Sequence, residues 1–406
     1  MTIIADDLTG ALDTAVQFSK KGAATVVIAD TADMRGFSDC PKNYDVVAIN
    51  TKSRHLPQKK AAEAVRSAVR FAMCFGGGAG GLSYYKKIDS TLRGNVGAEL
   101  EALLDICGGG ELMLVPSYCK LGRTVRGGRL YVDNVPVNET AFGKDPLNPV
   151  TKSDITEIIA EQTDIPVVPL KNPADLPPAR SESKGERKIY LFDAETDGDI
   201  QKIGEQLAAR NRTGITAGSA GFAEFLSDTP PFFRQRPKEP KFAFPMLTVC
   251  GSLHEASRRQ TEYAAGLGYR VIGIDFETTG GHTLEWAKEQ AIESLKKGDK
   301  TIIQTNPGGS LDSSDIPEAL GCFVKSVIDG SQISSLAIFG GDTTAGILKI
   351  MGIVCLEPSM EVVPGVVLSK TVNSPYNLNL ITKAGGFGGE DLLEKIERIA
   401  SRLNRN

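Results

Sequence analysis

The chain has 406 residues, 41% hydrophobic and 24% charged, with 43 glycines and 46 basic against 50 acidic side chains, for a formal net charge of −4. That length exceeds one ordinary domain of roughly 50–200 residues, so two folded units are expected, and the slight acidity argues against a nucleic-acid-coating surface while leaving room for a local anion pocket. No run approaches the roughly 20 apolar residues that cross a bilayer, no basic-then-apolar leader opens the chain, and seven scattered cysteines without a CxxC favour reduced thiols, mostly as small core residues. A cytoplasmic protein with neither membrane nor nucleic acid as partner is expected; homo-oligomerisation is left open.

The opening TIIA (2–5) reads as a buried strand, and apolar residues from Ala11 to Phe18 recur at helical spacing. Asp6 and Asp7 therefore fall in the turn between them, at the carboxyl end of a parallel strand, where open α/β folds bind ligands. Carboxylates there accept substrate hydroxyls or, through water, face a hard cation; capping of the helix by Asp7 or Thr9 is the plainer alternative. DVVAIN (45–50), LSYYKKI (82–88) and ELMLVP (111–116) read as strands, 56–73 and 97–106 as helices. Arg54 follows the first of these strands, and Lys86, Lys87, Asp89, Ser90 and Arg93 surround the second. A guanidinium fork grips carboxylates while serine and aspartate orient hydroxyls, the mixture a small anionic polyol needs. A solvated basic loop with Ser90 as helix cap is the alternative. Arg123, Arg126 and Arg129 are interrupted by Gly127-Gly128, which disfavours a helix; they either rim an anion-receiving cleft or pair with acidic side chains. Asn172 to Arg187 reads as a surface excursion before the strand KIYLFDA (188–194).

The proline- and charge-rich stretch 227–245 marks a seam, dividing the chain into an N-terminal domain (1–235), a linker (236–245) and a C-terminal domain (246–406). Beyond it, strand, small-residue turn and helix recur: MLTVC before Gly251-Ser252, LAIF before Gly340-Gly341-Asp342-Thr343, and ITK before the turn at Gly385-Gly386-Phe387-Gly388. Glycines permit close backbone approach, and free N–H groups at helix starts receive phosphate oxygens. Neither GxxxxGK[ST] nor a strand-linked GxGxxG is present, which disfavours a P-loop enzyme and a dinucleotide-binding dehydrogenase. Lys383 either meets a phosphate or lies exposed on its loop; Asp342 either caps its helix or faces phosphate-bound magnesium. His55, His254 and His282 lack HExxH spacing, so protein-ligated zinc is not expected. The expected fold is α/β, a two-domain protein with predominantly parallel sheets flanked by helices and an interdomain active-site cleft.

ADDLTGALDTA, NTKSR, KKIDSTLRGNVGAELEA, GRTVRGGRLYVDNVPV, TAFGKDPLNPV, GSAGF, CGSLHEASRRQT, FGGDTTAG and KAGGFG, in this order across almost the whole chain, resemble segments of the four-carbon acid-sugar kinase family. The resemblance implies an ATP-dependent kinase with an N-terminal acid-sugar domain and a C-terminal nucleotide domain. It places Asp7, Arg54 and the KIDS segment Lys87, Ile88, Asp89 and Ser90 at the substrate, and Ser252, Gly340, Gly341, Asp342, Thr343 and Gly386 at the nucleotide. Asp7, Asp89 and Asp342 are the candidate catalytic carboxylates, with the proton-accepting role open between Asp7 and Asp89 and then Asp342. The implied reaction moves the γ-phosphoryl group of ATP to the terminal 4-hydroxyl of D-threonate or D-erythronate, with Mg²⁺ bridging phosphate oxygens; a 3-oxo-tetronate kinase and a non-catalytic acid-sugar sensor are the alternatives. YKKIDSTLRGN is closer in form to the threonate and erythronate kinases than to the 3-oxo-tetronate branch. KAGGFG departs from the commoner KSGNFG: Ala384 replaces a serine and Gly386 an asparagine, which shifts the expectation from side-chain to backbone contact.

Overall fold

The computed structural model describes residues 1–30, 44–75, 83–178, 187–228, 242, 244–276, 283–306 and 315–404. His282 and most of the expected linker 236–245 lie outside them. Two compact units emerge: Met1–Thr25 with Pro41–Arg236, and Val26–Cys40 with Pro237–Asn406.

The chain begins with β1 (Thr2–Ala5), α1 (Leu8–Ser19), β2 (Thr25–Ile28), β3 (Val46–Asn50), α2 (Gln58–Phe75), β4 (Tyr84–Lys87), α3 (Val96–Cys107) and β5 (Glu111–Val115). A small antiparallel sheet follows, β6 (Arg123–Arg126), β7 (Arg129–Val132) and β8 (Val135–Pro136), then α4 (Ile155–Ala160), β9 (Val167–Leu170), β10 (Lys188–Phe192), α5 (Asp197–Ala209), β11 (Ile215–Gly218) and α6 (Ala220–Leu226). In the first unit the strands run β3-β1-β4-β11-β5-β10-β9, every neighbouring pair parallel. Parallel strands covered on both faces read as continuous apolar runs, and all four residues of β1 are buried. Strands β3 and β4 pair on opposite sides of β1, so the strand order reverses there, a place where such sheets take ligands. The Arg123–Arg129 segment forms the β6–β7 hairpin; Gly127 and Gly128 have φ of 60° and 72°, as a two-residue turn between right-twisted strands requires.

The second unit adds β12 (Met246–Cys250), α7 (Glu255–Gly266), β13 (Arg270–Ile274), α8 (Leu284–Lys296), β14 (Thr301–Thr305), α9 (Ile316–Gly330), β15 (Ser335–Phe339), α10 (Gly341–Met351), β16 (Cys355–Val363), β17 (Val366–Val372), β18 (Asn379–Lys383) and α11 (Leu392–Leu403). Strands β13-β14-β12-β15-β18 are parallel, and β17, β16 and β2 continue antiparallel. Phe339, Leu368, Ile381, Leu392 and Ile396 sit in its core. The predominantly parallel α/β expectation is met in both units. The β16–β17 hairpin is an addition: its register shifts beside Pro358 and between Glu361 and Val363, and proline and bulges blur the two-residue periodicity that announces a strand.

Among the described cysteines, Cys250 and Cys355 are buried, Cys107 and Cys119 half-buried and Cys322 exposed. The expectation of mostly core thiols is thereby corrected: Cys107 ends α3 and Cys322 sits on the outer face of α9. No helix among the described residues is long and apolar enough to cross a membrane.

Candidate active site

In the first unit, β3, β1 and β4 end level, with Ala5 opposite both Asn50 and Lys87, so the turns after them adjoin. After β1, Asp7 is the N-cap of α1, its Oδ1 accepting from the Gly10 N–H at 3.0 Å. The capping and ligand readings thus share one carboxylate. After β3, Arg54 donates from Nε to Asp6 Oδ2 at 2.7 Å, from Nη2 to Asp6 Oδ1 at 3.0 Å and from Nη1 to Asp7 Oδ2 at 3.0 Å. Its Nη2 also lies 2.9 Å from Asp7 Oδ1 and 3.8 Å from Asp89 Oδ1. Of five guanidinium hydrogens, these contacts leave one, on Nη1, without a partner among the described residues.

After β4, Asp89 accepts from Arg93 Nε at 2.9 Å and Nη2 at 3.0 Å, and from the Thr91 N–H at 3.2 Å and its hydroxyl. Arg93 Nη1 reaches Asp145 at 3.2 Å. Carboxylates and guanidiniums therefore alternate from Asp6 to Asp145. Burial pushes the Asp89 carboxyl up, but Arg93 and Arg54 hold it well below the usual carboxylate range. Burial likewise pushes the Asp6 carboxyl up, but Arg54, with Lys86 and Lys87, outweighs it and leaves Asp6 below its ordinary value. Helix α3 starts only at Val96 behind Asn95, so Ser90 does not cap it; Thr91, its neighbour, takes the bond to Asp89.

Lys87 Nζ donates to Ile88 O at 2.8 Å. Lys86 donates to Lys87 O at 2.8 Å and pairs with Glu99 at 2.8 Å in full burial, while the Ser53 hydroxyl bonds the other Glu99 oxygen. A Cβ on Gly10 would stand 2.5 Å from Asp7 Oδ1 and 2.9 Å from Lys87 Nζ, so glycine lets this ammonium approach the Asp7 cap. The three arginines of the hairpin separate: Arg126 pairs with Glu195 at 3.3 Å on the surface and Arg129 is exposed. Arg123 turns inward over Phe142 at 5.8 Å, a ring that Arg93 also approaches at 5.3 Å.

The second unit repeats this geometry. Strands β12, β15 and β18 are neighbours, with Cys250 level with Phe339 and Phe339 with Lys383. A Cβ would stand 2.3 Å from Thr343 Oγ1 on Gly251, 3.5 Å from Ser252 Cβ on Gly340, 2.4 Å from Ser252 Oγ on Gly385 and 3.2 Å from His254 Nε2 on Gly386. The fold thus brings Ser252, Gly340, Thr343 and Gly386 together, and the His254 ring crowds the space that an asparagine at 386 would enter. Gly341 and Asp342 open α10, which has no side-chain cap; its first N–H groups lack intrahelical partners, and Asp342 is exposed. Capping of α10 by Asp342 is therefore set aside. Lys383 departs from both of its expected roles. It is fully buried, bonded to two carbonyls of its own loop and to the Ser257 hydroxyl on α7, and burial lowers its ammonium to about 8.

Among the described residues no group of three or more His, Cys, Asp or Glu side chains is placed to hold a metal. Magnesium ordinarily needs only one or two carboxylates when phosphate oxygens and water complete its shell, and the exposed Asp342 beside open N–H groups fits that donor set.

Residues 1–226 match the family model for a sugar-binding N-terminal domain, and residues 247–393 that for a nucleotide-binding C-terminal domain. A D-threonate kinase of Salmonella typhimurium is 32% identical over 97% of this chain and 96% of its own. One of Bordetella bronchiseptica is 30% identical over 96% and 95%, and a D-erythronate kinase of Heliobacterium modesticaldum is 27% identical over 96% and 94%. The crystal structure of a Haemophilus influenzae protein shares the fold, with a TM-score of 0.76 at 20% identity, covering 98% of this chain and 100% of that one. One α/β unit matches a sugar-binding family model and the other a nucleotide-binding one, and the relatives that span nearly the whole chain are acid-sugar kinases, which sets the class as a carbohydrate kinase. The chain belongs to the four-carbon acid-sugar kinase family.

Proposed function

We propose that this protein transfers the γ-phosphoryl group of ATP to the terminal 4-hydroxyl of D-threonate, with D-erythronate as the next acceptor. The carrying observation is the near-full-length identity of 32% and 30% to two D-threonate kinases. Residues 1–235 hold the acid sugar and 246–406 the nucleotide. Arg54 gives its remaining N–H to the sugar carboxylate, and Lys87 adds positive charge beside it. Asp89 and Ser90, with the Ile88 backbone between Lys87 and Asp89, fix the hydroxyl pattern. Backbone N–H groups at Gly341, Thr343 and Gly386, with the Ser252 hydroxyl, receive the phosphates; Gly340, whose own N–H is bonded to Lys383 O at 2.9 Å, lends its open, Cβ-free turn beside Ser252 and Thr343.

Phosphoryl transfer asks a protein chiefly for alignment and charge stabilisation. The 4-hydroxyl oxygen bonds to the γ-phosphorus as the bond to the β–γ bridging oxygen breaks, and the hydroxyl proton passes to a carboxylate. Asp89 is clamped through both oxygens by Arg93 and approached by Arg54, so the proton-accepting role goes to Asp7, which meets only Arg54 of these guanidiniums and is the more exposed of the two carboxylates. Asp342 would hold Mg²⁺, which supplies neutralising charge on the phosphate oxygens.

ATP-dependent turnover measured with D-threonate, D-erythronate, L-threonate and 3-oxo-tetronate tests the assignment, with the highest kcat/KM expected for D-threonate. Relatives at 24% and 25% identity are named 3-oxo-tetronate kinases; a preference for that acid would move the chain to their activity. ATP consumed without any phosphorylated acid would refute the proposal.

A further inference from the structure

The loop after β18 is gripped from inside by three buried side chains. Lys383 Nζ donates to Ala384 O at 3.1 Å, Gly385 O at 2.9 Å and Ser257 Oγ at 2.9 Å. Ser257 Oγ in turn donates to Gly385 O at 2.8 Å. Gln260, fully buried on α7, turns its Nε2 toward three carbonyls: Phe387 O at 3.0 Å, Gly388 O at 2.9 Å and Gly389 O at 3.1 Å. Its Oε1 is buried with no hydrogen-bond partner among the described residues. A buried acceptor left unmade costs stability, so the amide is held in this orientation by the loop it binds.

In a trans peptide the C=O of one residue and the N–H of the next point in opposite directions. Pulling the carbonyls of 384, 385, 387, 388 and 389 toward α7 and Lys383 therefore turns the N–H groups of Gly385, Gly386, Gly388, Gly389 and Glu390 the other way. On their free side Gly385 lies against Ser252 and His254, and Gly386 against the His254 ring. Gly388 has φ 82°, and a Cβ there would stand 3.2 Å from Gln260 Nε2; glycine admits both the turn and the close approach of the amide.

We propose that Lys383, Ser257 and Gln260 are positioning residues for the nucleotide: an inner brace that holds the 384–389 loop with its carbonyls inward and its N–H groups outward to meet the phosphates. The brace rests on the nucleotide reading of this unit. It accounts for the KAGGFG form, in which the loop offers a phosphate its backbone instead of serine and asparagine side chains. It also explains why a lysine is buried at 383, since the ammonium charge strengthens the bonds to the carbonyls without entering the phosphate site.

The test uses the full chain and two variants, Gln260→Met, which keeps length and loses the donor, and the milder Ser257→Ala, which decides should the first not fold. ATP affinity is measured by calorimetry without acid sugar, and acid-sugar KM at saturating ATP. The brace predicts about tenfold or greater loss of ATP affinity in Gln260→Met, as expected when one or more charge-bearing contacts are misaligned. Ser257→Ala should lose less, and acid-sugar KM should stay at the parent value in both. Folded variants that bind ATP like the parent would overturn the brace and leave the nucleotide reading standing. ATP affinity and acid-sugar KM worsening together with a fall in Tm would also overturn it, as the mark of general destabilisation. A parent protein that binds no ATP would overturn the nucleotide reading itself.

Discussion

Replacing Arg54 by methionine removes the guanidinium while keeping an apolar stem of similar reach. In the protein this group is 12% exposed and Asp6 4%, and it makes bonds of 2.7–3.0 Å to Asp6 and Asp7. Removing one partner of such a buried pair costs roughly 3–5 kcal/mol, because the other charge is left without compensation. At about 2–4 °C per kcal/mol for a unit of this size, the first unit should melt roughly 6–20 °C earlier, followed by circular dichroism on the full chain. Acid-sugar kcat/KM should collapse in the same variant while ATP affinity is kept. Adding Asp6→Asn removes the stranded charge, so the double variant should recover part of the loss, with a coupling of roughly 0.5–3 kcal/mol. An Arg54→Met protein that melts like its parent yet loses acid-sugar turnover would refute this reasoning, since the guanidinium would then be held for the ligand alone.

Asp7→Asn should lower kcat by about 10²–10⁴ with both substrates saturating, the usual worth of a positioned base, whereas Asp89→Asn should act mainly on acid-sugar KM; near-normal kcat in both would direct the search to Asp342. Gly10→Ala inverts a familiar sign. Alanine inside a helix ordinarily gains up to about 1 kcal/mol over glycine, but here its Cβ meets Asp7 Oδ1 and Lys87 Nζ, and a loss of roughly 1–3 kcal/mol is expected. A higher Tm with unchanged acid-sugar KM would show that Lys87 has room to withdraw.

Much of this is legible in local pattern. Apolar runs locate β1, β3, β4, β12, β15 and β18, and the residues just past their ends are the ones that converge. Burial on both faces writes such strands as unbroken apolar stretches, and a turn residue needs only its neighbours to be recognised. What stays hidden depends on pairing at a distance. Glu99 reads as one more acidic residue on an amphipathic helix until Lys86 is seen beside it. Arg54 reads as a free fork because nothing near it in sequence shows that Asp6 occupies that edge. Ser257 and Gln260 precede the loop they hold by well over a hundred residues. Lys383 resembles an exposed loop lysine because its acceptors are backbone carbonyls, which no residue letter reveals.

Strand β2 has a consequence for how the molecule is made. From Val26 onward it packs with the second unit, where Val27 pairs with Leu356 and Ile28 with Cys355, partners more than three hundred residues downstream. At about 5–20 residues per second of synthesis, this early strand must wait on the order of 15–65 s for the edge it completes. A C-terminal piece cut at the 236–245 seam never receives it, and its β16 edge keeps unpaired N–H and C=O groups, a template for adding a foreign strand. Gene dissection at the apparent boundary should therefore yield a sticky half, and co-expressing the two pieces should restore solubility better than either fragment made alone.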